Sequence, residues 1–305
     1  MGLDLHFRTR IGALAIELPV ALDLQFYRSA HPDLSTFDDA TLEAHYRQYG
    51  EGEGRQANRL GTRLDFVNLI PAGAEALEIG PFYNPVLRGP DVQYFDVLST
   101  SELVERARSL GVDTRNVPRI DFVSPIGDLS VIDRDFDFVL SSHCIEHQPD
   151  LVRHLQRVSA LLRPGGMYFV LVPDKRYCFD HFLSESSLAD ILDAYHAGRQ
   201  THLLRSVIEH RVLTTHNDSL AHWLHQHGEP LADIRERIQA ALGEYERAQG
   251  GYIDVHAWYF TPRSAAGIFS ALQRADYTDL GLQVVYPTRY GSNEFWMVLR
   301  KPERS

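Results

Sequence analysis

Cysteine and basic residues are both scarce in this chain. Its 305 residues include only two cysteines, Cys144 and Cys178, which do not make a disulfide framework and indicate a reducing, cytoplasmic setting. There are 30 lysines and arginines against 41 aspartates and glutamates, giving a net charge of −11. Because an acidic protein repels phosphate backbones, we expect no nucleic-acid partner.

Long hydrophobic runs are missing as well. No apolar run approaches the ~20 residues of a membrane-spanning helix, so we expect no membrane span. Residues 1–20 contain a short apolar patch, but Asp4 and Glu17 interrupt it, which excludes an ordinary signal peptide. The length of 305 residues is enough for one large or two modest domains with a substantial core.

The most informative stretch is ALEIGPFYN at residues 76–84. Its first four residues are those of a short buried strand, and Gly80-Pro81 then breaks the strand. Glu78 is expensive inside a sheet unless its carboxylate is satisfied, and we expect it near the carboxyl end of the strand, where α/β sheets bind ligands. A second strand ends at Asp96, as in proteins that hold a ribose with a carboxylate. This pattern predicts a nucleoside pocket.

Strands and helices alternate along the middle of the chain, which indicates βαβ units and a mostly parallel sheet. We predict strands at residues 76–79, 92–96, 120–123, 136–140 and 167–172. Helices are predicted to begin at Ser101 and Asp150. Between Asn84 and Asp91 the chain is too short for a crossover helix, so we expect a single helical turn started by Pro85.

Residues 75–175 resemble a class I S-adenosylmethionine-dependent methyltransferase. The resemblance is carried by LEIGP (77–81), YFD (94–96), GDL (127–129), FDFVLSSHCIEH (136–147) and LLRPGG (161–166). It implies a Rossmann-like α/β fold whose last strand is antiparallel, with S-adenosylmethionine as cofactor.

The resemblance also implies roles for individual residues. Glu78 and Gly80 would lie near the methionine portion, Asp96 on the ribose hydroxyls, Asp128 at the adenine amino group, and Leu129 against the ring. Ser142 and His143 would line the floor below the sulfonium. The family often has further glycines where this chain has Pro81-Phe82-Tyr83, so the loop is stiffer and Phe82 or Tyr83 can form an acceptor-side wall. The expected cofactor contacts are Glu78, Gly80, Pro81, Phe82, Asp96, Val97, Asp128, Leu129, Ser142 and His143.

The amino-terminal part resembles a small helical module found beside bacterial glycosyltransferases and surface-polysaccharide enzymes. The pattern is F-Y-x-x-x-x-P-D-L followed by H-Y-x-x-x-G-x-x-E-G-R, within residues 22–55. Thr36 or Asp38 is predicted to cap its helix and Gly50 to end it. The resemblance implies glycan-assembly enzymes as partners, in polysaccharide biosynthesis. Alternatively, the segment is a helical cap that only packs on the main domain.

We expect four regions: the helical module (1–58), the cofactor-binding core (59–180), a helical insert that covers the acceptor (181–250), and the completion of the core (251–305). The insert has three helical patterns and eight of the histidines, among them His222, His225 and His227. Their spacing is not that of a tetrahedral zinc site, so we favour a structural role and predict no metal site. Near the end, Thr261-Pro262 caps a helix, and strands are expected at 282–286 and 294–299.

Methyl transfer requires alignment and, for a hydroxyl acceptor, a base. The candidates are His143, Asp174 and His256. Two of them have a structural alternative: His143 can fix its loop, and Asp174 can pair with Arg176. His256 is the histidine to test first. For His147 we favour anchoring of a helix over catalysis.

Three functions compete. The leading one is O-methylation of a sugar, a glycan or another small polar acceptor. The second keeps the cofactor fold but makes the protein a binding or scaffold subunit of a glycan-assembly complex. The third, a nicotinamide-dependent oxidoreductase, is weaker because only Gly80 stands in the required place of a G-x-G-x-x-G loop.

Overall fold

A seven-stranded sheet forms the centre of the protein. The structure is a computed structural model that describes residues 7–11, 14–229, 231 and 233–303. Its strands are β3 (Ala76–Ile79), β4 (Val92–Asp96), β5 (Phe122–Val123), β6 (Phe136–Ser142), β7 (Leu162–Pro173), β8 (Gly281–Tyr286) and β9 (Glu294–Arg300). They follow the order β5-β4-β3-β6-β7-β9-β8. Neighbouring strands from β5 to β7 are parallel, and β9 is antiparallel to both β7 and β8, as expected.

Both faces of the sheet are covered, which explains the continuous hydrophobicity of its central strands. Successive side chains of β7 alternate between two core clusters: Tyr168 and Val170 belong to one, and Phe169 and Leu171 to the other. The first face packs against α5 (Leu151–Leu161) and α10 (Pro262–Arg274), and the second against α3 (Arg63–Val67).

Helix caps follow the sequence signals closely. The Arg153 N–H donates to Asp150 Oδ1 at 2.9 Å, which begins α5 at the predicted place. Thr261 caps α10, with proline at its first position. The prediction for α4 (Thr100–Ser109) is wrong by two residues, because Ser99 rather than Ser101 forms a capping box with Glu102.

Other boundaries also need correction. The loop at residues 81–91 contains no helical turn at Pro85. The N–H groups of Val86 and Leu87 donate instead to Glu78, at 2.8 Å and 2.7 Å, which holds the loop in an irregular path across the strand end. The third predicted strand is reduced to the two residues of β5, whereas β6 extends to Ser142.

The amino-terminal segment contains a hairpin that we did not expect. It consists of β1 (Phe7–Ile11) and β2 (Leu14–Leu18), paired antiparallel. Ile16 and Leu18 are buried in the same cluster as Phe169, so the hairpin packs on the second face of the sheet.

The module that follows has a small core of its own, in which Tyr27, Leu42 and Tyr46 are buried together. It contains α1 (Leu24–Ala30) and α2 (Asp39–His45), and Asp38 caps the second helix, as expected. Several residues of the recognised pattern contact one another: Tyr27 Oη lies 3.0 Å from His45 Nδ1, and Arg55 donates to Asp33 at 2.7 Å and to Glu53 at 2.6 Å.

The insert contains the three expected helices and a further short one. They are α6 (Leu188–His196), α7 (Leu204–Val212), α8 (Ser219–Trp223) and α9 (Ile234–Ala248). Ile191 of α6 belongs to the main core, while Val207 of α7 and Ala241 of α9 share a separate cluster. The described part of the chain contains no helix that is long and apolar enough to cross a bilayer. The four region boundaries stay predictions.

Candidate functional site

A cavity of about 340 Å³ opens at the carboxyl ends of the central strands. The strand order reverses between β3 and β6, which is where open α/β sheets bind ligands. We call this space the sheet-edge cavity. It is lined by Ile79, Gly80, Phe82, Phe95, Asp96, Val97, Leu103, Arg106, Gly127, Leu129, His143, Cys144, His147, Gln148, His154, Tyr252 and Asp254.

Asp96 supplies a buried carboxylate at one side of the cavity. It is only 7% exposed, and its Oδ1 accepts a hydrogen bond from the Leu98 N–H at 3.0 Å. Burial raises the pKa of Asp96 above its usual range, against the lowering effect of backbone N–H groups. A ligand hydroxyl that donates to this carboxylate satisfies it.

Gly80 leaves the backbone at the end of β3 accessible. Its φ of +70° is unfavourable for other residues, and the nearest atom that an added Cβ would meet is Cys144 Sγ, at 4.0 Å. A ligand can therefore lie against the main chain here. Apolar side chains form much of the cavity wall. One of them is Phe82, whose ring centre lies 5.2 Å from the Arg106 guanidinium.

Four of the expected contact residues lie outside the cavity lining: Glu78, Pro81, Asp128 and Ser142. Both carboxylate oxygens of Glu78 are occupied by the Val86 and Leu87 N–H groups, so this residue supports the loop instead of facing the cavity. Asp128 accepts from the Ser130 Oγ–H at 2.6 Å and from its N–H at 3.0 Å. These bonds lower the pKa of Asp128. Its chain neighbours Gly127 and Leu129 line the cavity.

A second cavity, of about 460 Å³, adjoins the first, and we call it the histidine cavity. The two share Arg106, His143, His147 and Asp254. The insert contributes part of its wall. Its other lining residues are Glu146, Pro173, Cys178, Phe179, His210, Arg211, Asn217, His256 and Asn293.

His143 lies where the two cavities meet. It follows β6 with a φ of +51°, an unusual conformation for a residue with a side chain. Its Nε2 lies 2.8 Å from Glu294 Oε2, and the same carboxylate pairs with Arg63. Although burial raises the pKa of Glu294, these two partners outweigh it and lower that pKa to about 2. Because the Glu294 carboxylate can only accept a hydrogen bond, it selects the tautomer of His143 that has its hydrogen on Nε2 and its lone pair on Nδ1.

His256 lies deep in the histidine cavity and is only 5% exposed. Its Nδ1 lies 2.6 Å from Asp180 Oδ2. Burial lowers the pKa of His256 to about 3, with a further lowering from His147, so the ring is neutral at pH 7. Burial likewise raises the pKa of Asp180 to about 7.

Sequence reasoning missed several lining residues. His147, expected only to anchor a helix, faces both cavities with its Nδ1 3.2 Å from Asp254 Oδ1. Burial lowers the pKa of His147, but Asp254 and Glu146 outweigh it and the net shift is upward. Tyr252 and Asp254 belong to the segment YIDVHAW, whose return toward the sheet was predicted but from which only His256 was selected.

Asp174 is not part of either cavity. It is fully buried and accepts hydrogen bonds from the Arg176 side chain at 2.6 Å and from the Thr288 hydroxyl at 2.6 Å. This is the structural alternative to its predicted role as a base. Three histidines of the insert form a separate group: the rings of His181 and His227 stack at 3.7 Å, and His222 Nδ1 lies 3.0 Å from His227 Nδ1.

Residues 54–230, more than half of the chain, match the protein family described as "Methyltransferase domain". The chain belongs to this methyltransferase family. No curated protein matches it.

Several solved structures are similar to this chain. An S-adenosylmethionine-dependent methyltransferase from Mesorhizobium loti is 16% identical, with 75% of this chain and 91% of that one covered and a TM-score of 0.38. One from Clostridium acetobutylicum is 11% identical, with coverages of 74% and 83% and a TM-score of 0.36. Mitomycin 7-O-methyltransferase MmcR is 13% identical, with coverages of 91% and 60% and a TM-score of 0.35.

At the level of the family, the predicted cofactor S-adenosylmethionine is confirmed, and the sheet-edge cavity fits it. The Asp96 carboxylate can accept hydrogen bonds from ribose hydroxyls, and Gly80 leaves room for a ligand against the backbone. Phe82, Phe95 and Leu129 provide apolar surface for a planar base.

Proposed function

We propose that this methyltransferase uses S-adenosylmethionine to methylate a hydroxyl group of a small polar acceptor such as a sugar or glycan. The cofactor supplies an electrophilic methyl group on its sulfonium. In this proposal the sheet-edge cavity holds the cofactor through Asp96, Gly80, Phe82, Val97 and Leu129, and the histidine cavity holds the acceptor.

The position of His143 is the observation that carries the proposal. Its ring lines both cavities, and Glu294 holds its Nε2 at 2.8 Å, so the Nδ1 lone pair is available to accept a proton. An acceptor hydroxyl between the cavities would pass its proton to this atom as its oxygen is methylated. His256 is a poorer base, because its pKa of about 3 gives little driving force for proton transfer. Asp174 lines neither cavity and accepts hydrogen bonds from Arg176 and Thr288, so the proposal gives it no role as the base.

The lining of the histidine cavity favours an acceptor rich in hydroxyl groups. Arg211 and Asn217, both from the insert, bring donors and an acceptor oxygen to the wall. We propose that the insert covers the acceptor and that the amino-terminal module adjoins glycan-assembly enzymes. The scaffold alternative predicts that the cofactor binds without any product being formed.

The test is turnover with S-adenosylmethionine and a panel of sugars and other hydroxyl acceptors, with methylated product measured by mass spectrometry. We expect His143→Ala to lower kcat by roughly 10²–10⁴-fold while the affinity for S-adenosylhomocysteine changes little. His196→Ala is the matched control, because His196 is exposed on α6 and lies in neither cavity.

Two results would contradict the proposal. Cofactor binding without product from any acceptor would favour a scaffold. Turnover of His143→Ala within a few-fold of wild type would show that His143 is not the base.

A further inference from the structure

Glu146 is a buried carboxylate in the wall of the histidine cavity. Glu146 is 0% exposed, and neither of its carboxylate oxygens accepts a hydrogen bond from any described residue. A buried carboxylate without partners is strongly unfavourable, so such a group is expected to bind a cation or a ligand.

Three imidazole nitrogens surround one oxygen of this carboxylate. His143 Nδ1 and His256 Nε2 each lie 4.0 Å from Glu146 Oε1, and His147 Nε2 lies 3.9 Å from it. Ligand atoms of Glu146, His147 and His256 all lie within 4.8 Å of one another. Tetrahedral zinc ligands are roughly 3.4 Å apart when the bonds are 2.0–2.1 Å, so each side chain needs to move by only about half an ångström.

The second nitrogen of both candidate ligands faces a carboxylate. His256 Nδ1 lies 2.6 Å from Asp180, and His147 Nδ1 lies 3.2 Å from Asp254. The hydrogen bond with Asp180 fixes the tautomer of His256, so that its Nε2, which faces Glu146, presents a lone pair. This carboxylate–histidine arrangement is the usual outer shell of a metal site.

The charge of the cluster also favours a dication. Four carboxylates belong to it, those of Glu146, Asp180, Asp254 and Glu294. Within the described residues only two arginines pair with them: Arg63 with Glu294 and Arg106 with Asp254. Glu146 and Asp180 therefore have no arginine partner in that part of the chain.

We propose that Glu146, His147 and His256 bind a divalent transition-metal ion in the histidine cavity. Two imidazoles and one carboxylate suit zinc or ferrous iron better than magnesium, which prefers oxygen ligands. This revises the sequence-based expectation that the chain has no metal site. The site lies away from HWLHQH, where the sequence had raised the question. The ligand atoms of His181, His222 and His227 also lie within 4.8 Å of one another, but that group contains no carboxylate.

The role of the ion rests on the proposed function. A cation beside the acceptor hydroxyl lowers the pKa of that hydroxyl. Its proton then goes to His143 Nδ1, the oxygen forms a bond to the methyl carbon, and the electron pair of the broken carbon–sulfur bond stays on sulfur. His256 accordingly acts as a ligand and His143 as the base.

The first experiment uses chelator-treated wild-type protein and His227→Gln, which disables the other histidine group. Each is titrated with Zn²⁺ by calorimetry and with Co²⁺ by visible absorption. We expect one ion per chain and equal affinity for both proteins. No stoichiometric binding by wild type, or its loss in His227→Gln, would overturn the proposal.

The second experiment assigns the ligands. Glu146→Gln and His256→Gln are each expected to weaken Zn²⁺ binding at least 100-fold, since removal of an outer partner alone costs 10–100-fold. S-adenosylhomocysteine affinity is the folding control, because neither residue lines the sheet-edge cavity. If one folded variant binds Zn²⁺ as tightly as wild type does, the assignment of that residue as a ligand is refuted. If both variants do, the site is refuted. Zn²⁺ binding without methyl transfer would leave the site standing and refute only the proposed function.

Discussion

The strand residue Glu78 allows a test of how the site is held together. Its side chain is 1% exposed, and its two oxygens accept the N–H groups of Val86 and Leu87. Two opposing effects act on its pKa: burial raises it, and the two backbone donors lower it. Burial is the larger effect and raises the pKa of Glu78 from 4.5 to about 7.

A raised carboxyl pKa makes the native state lose stability as the pH rises. The stabilising contribution of Glu78 is complete below pH 4.5 and disappears as the pH passes through about 7. Between pH 5 and pH 8 this amounts to about 2–3 kcal/mol. Glu78→Gln removes the titration and also leaves one buried N–H group without an acceptor, which costs about 1–3 kcal/mol.

We therefore expect the difference in unfolding free energy between wild type and Glu78→Gln to be about 2–3 kcal/mol larger at pH 5 than at pH 8. Urea unfolding followed by tryptophan fluorescence measures it at both pH values. Other titrating groups, such as Asp180, cancel in this difference. If the difference is the same at both pH values, or larger at pH 8, the backbone donors outweigh burial in their effect on the pKa of Glu78. That result would refute the reasoning.

Three further substitutions test the packing and a buried ion pair. Gly50→Ala places a Cβ 2.1 Å from the Tyr27 hydroxyl and should lower the unfolding free energy by about 1–3 kcal/mol. At Gly267 an added Cβ meets no atom within 4 Å, so Gly267→Ala should raise the unfolding free energy by up to about 1 kcal/mol. Equal denaturation midpoints for the two variants would contradict this. Asp174→Asn should destabilise the protein by about 3–5 kcal/mol, since it leaves Arg176 without its partner, and calorimetry should show unchanged S-adenosylhomocysteine affinity. Normal stability with lost turnover would instead restore Asp174 as a candidate base.

Local signals in the sequence predicted most of the core. Asp150 and Thr261 begin their helices where expected, because caps depend on residues within one helical turn. The hairpin at residues 7–18 was missed, although two short alternating runs flank Gly12. The failure at Pro85 came from a contact across the loop: two backbone donors reach Glu78, eight and nine residues away.

The site was predictable where a motif carries it and not where distant segments meet. Asp96 and His143 follow strands with recognisable patterns, and both line the sheet-edge cavity. The partners that determine the histidine tautomers are remote in sequence: His143 and Glu294 are 151 residues apart, and Asp180 and His256 are 76 residues apart. Only the folded chain brings these carboxylates to their histidines.

The most direct measurement for the central claim is calorimetry of S-adenosylhomocysteine with wild type, Asp96→Ala and Asp91→Ala. Asp96 lines the sheet-edge cavity, whereas Asp91 is exposed and lies outside it. We expect tight binding by wild type and Asp91→Ala, and a loss of about 1.5–3 kcal/mol in Asp96→Ala, a roughly 10- to 150-fold weaker affinity. Equal affinity of Asp96→Ala and wild type, or no binding by wild type, would contradict the assignment of this cavity to the cofactor.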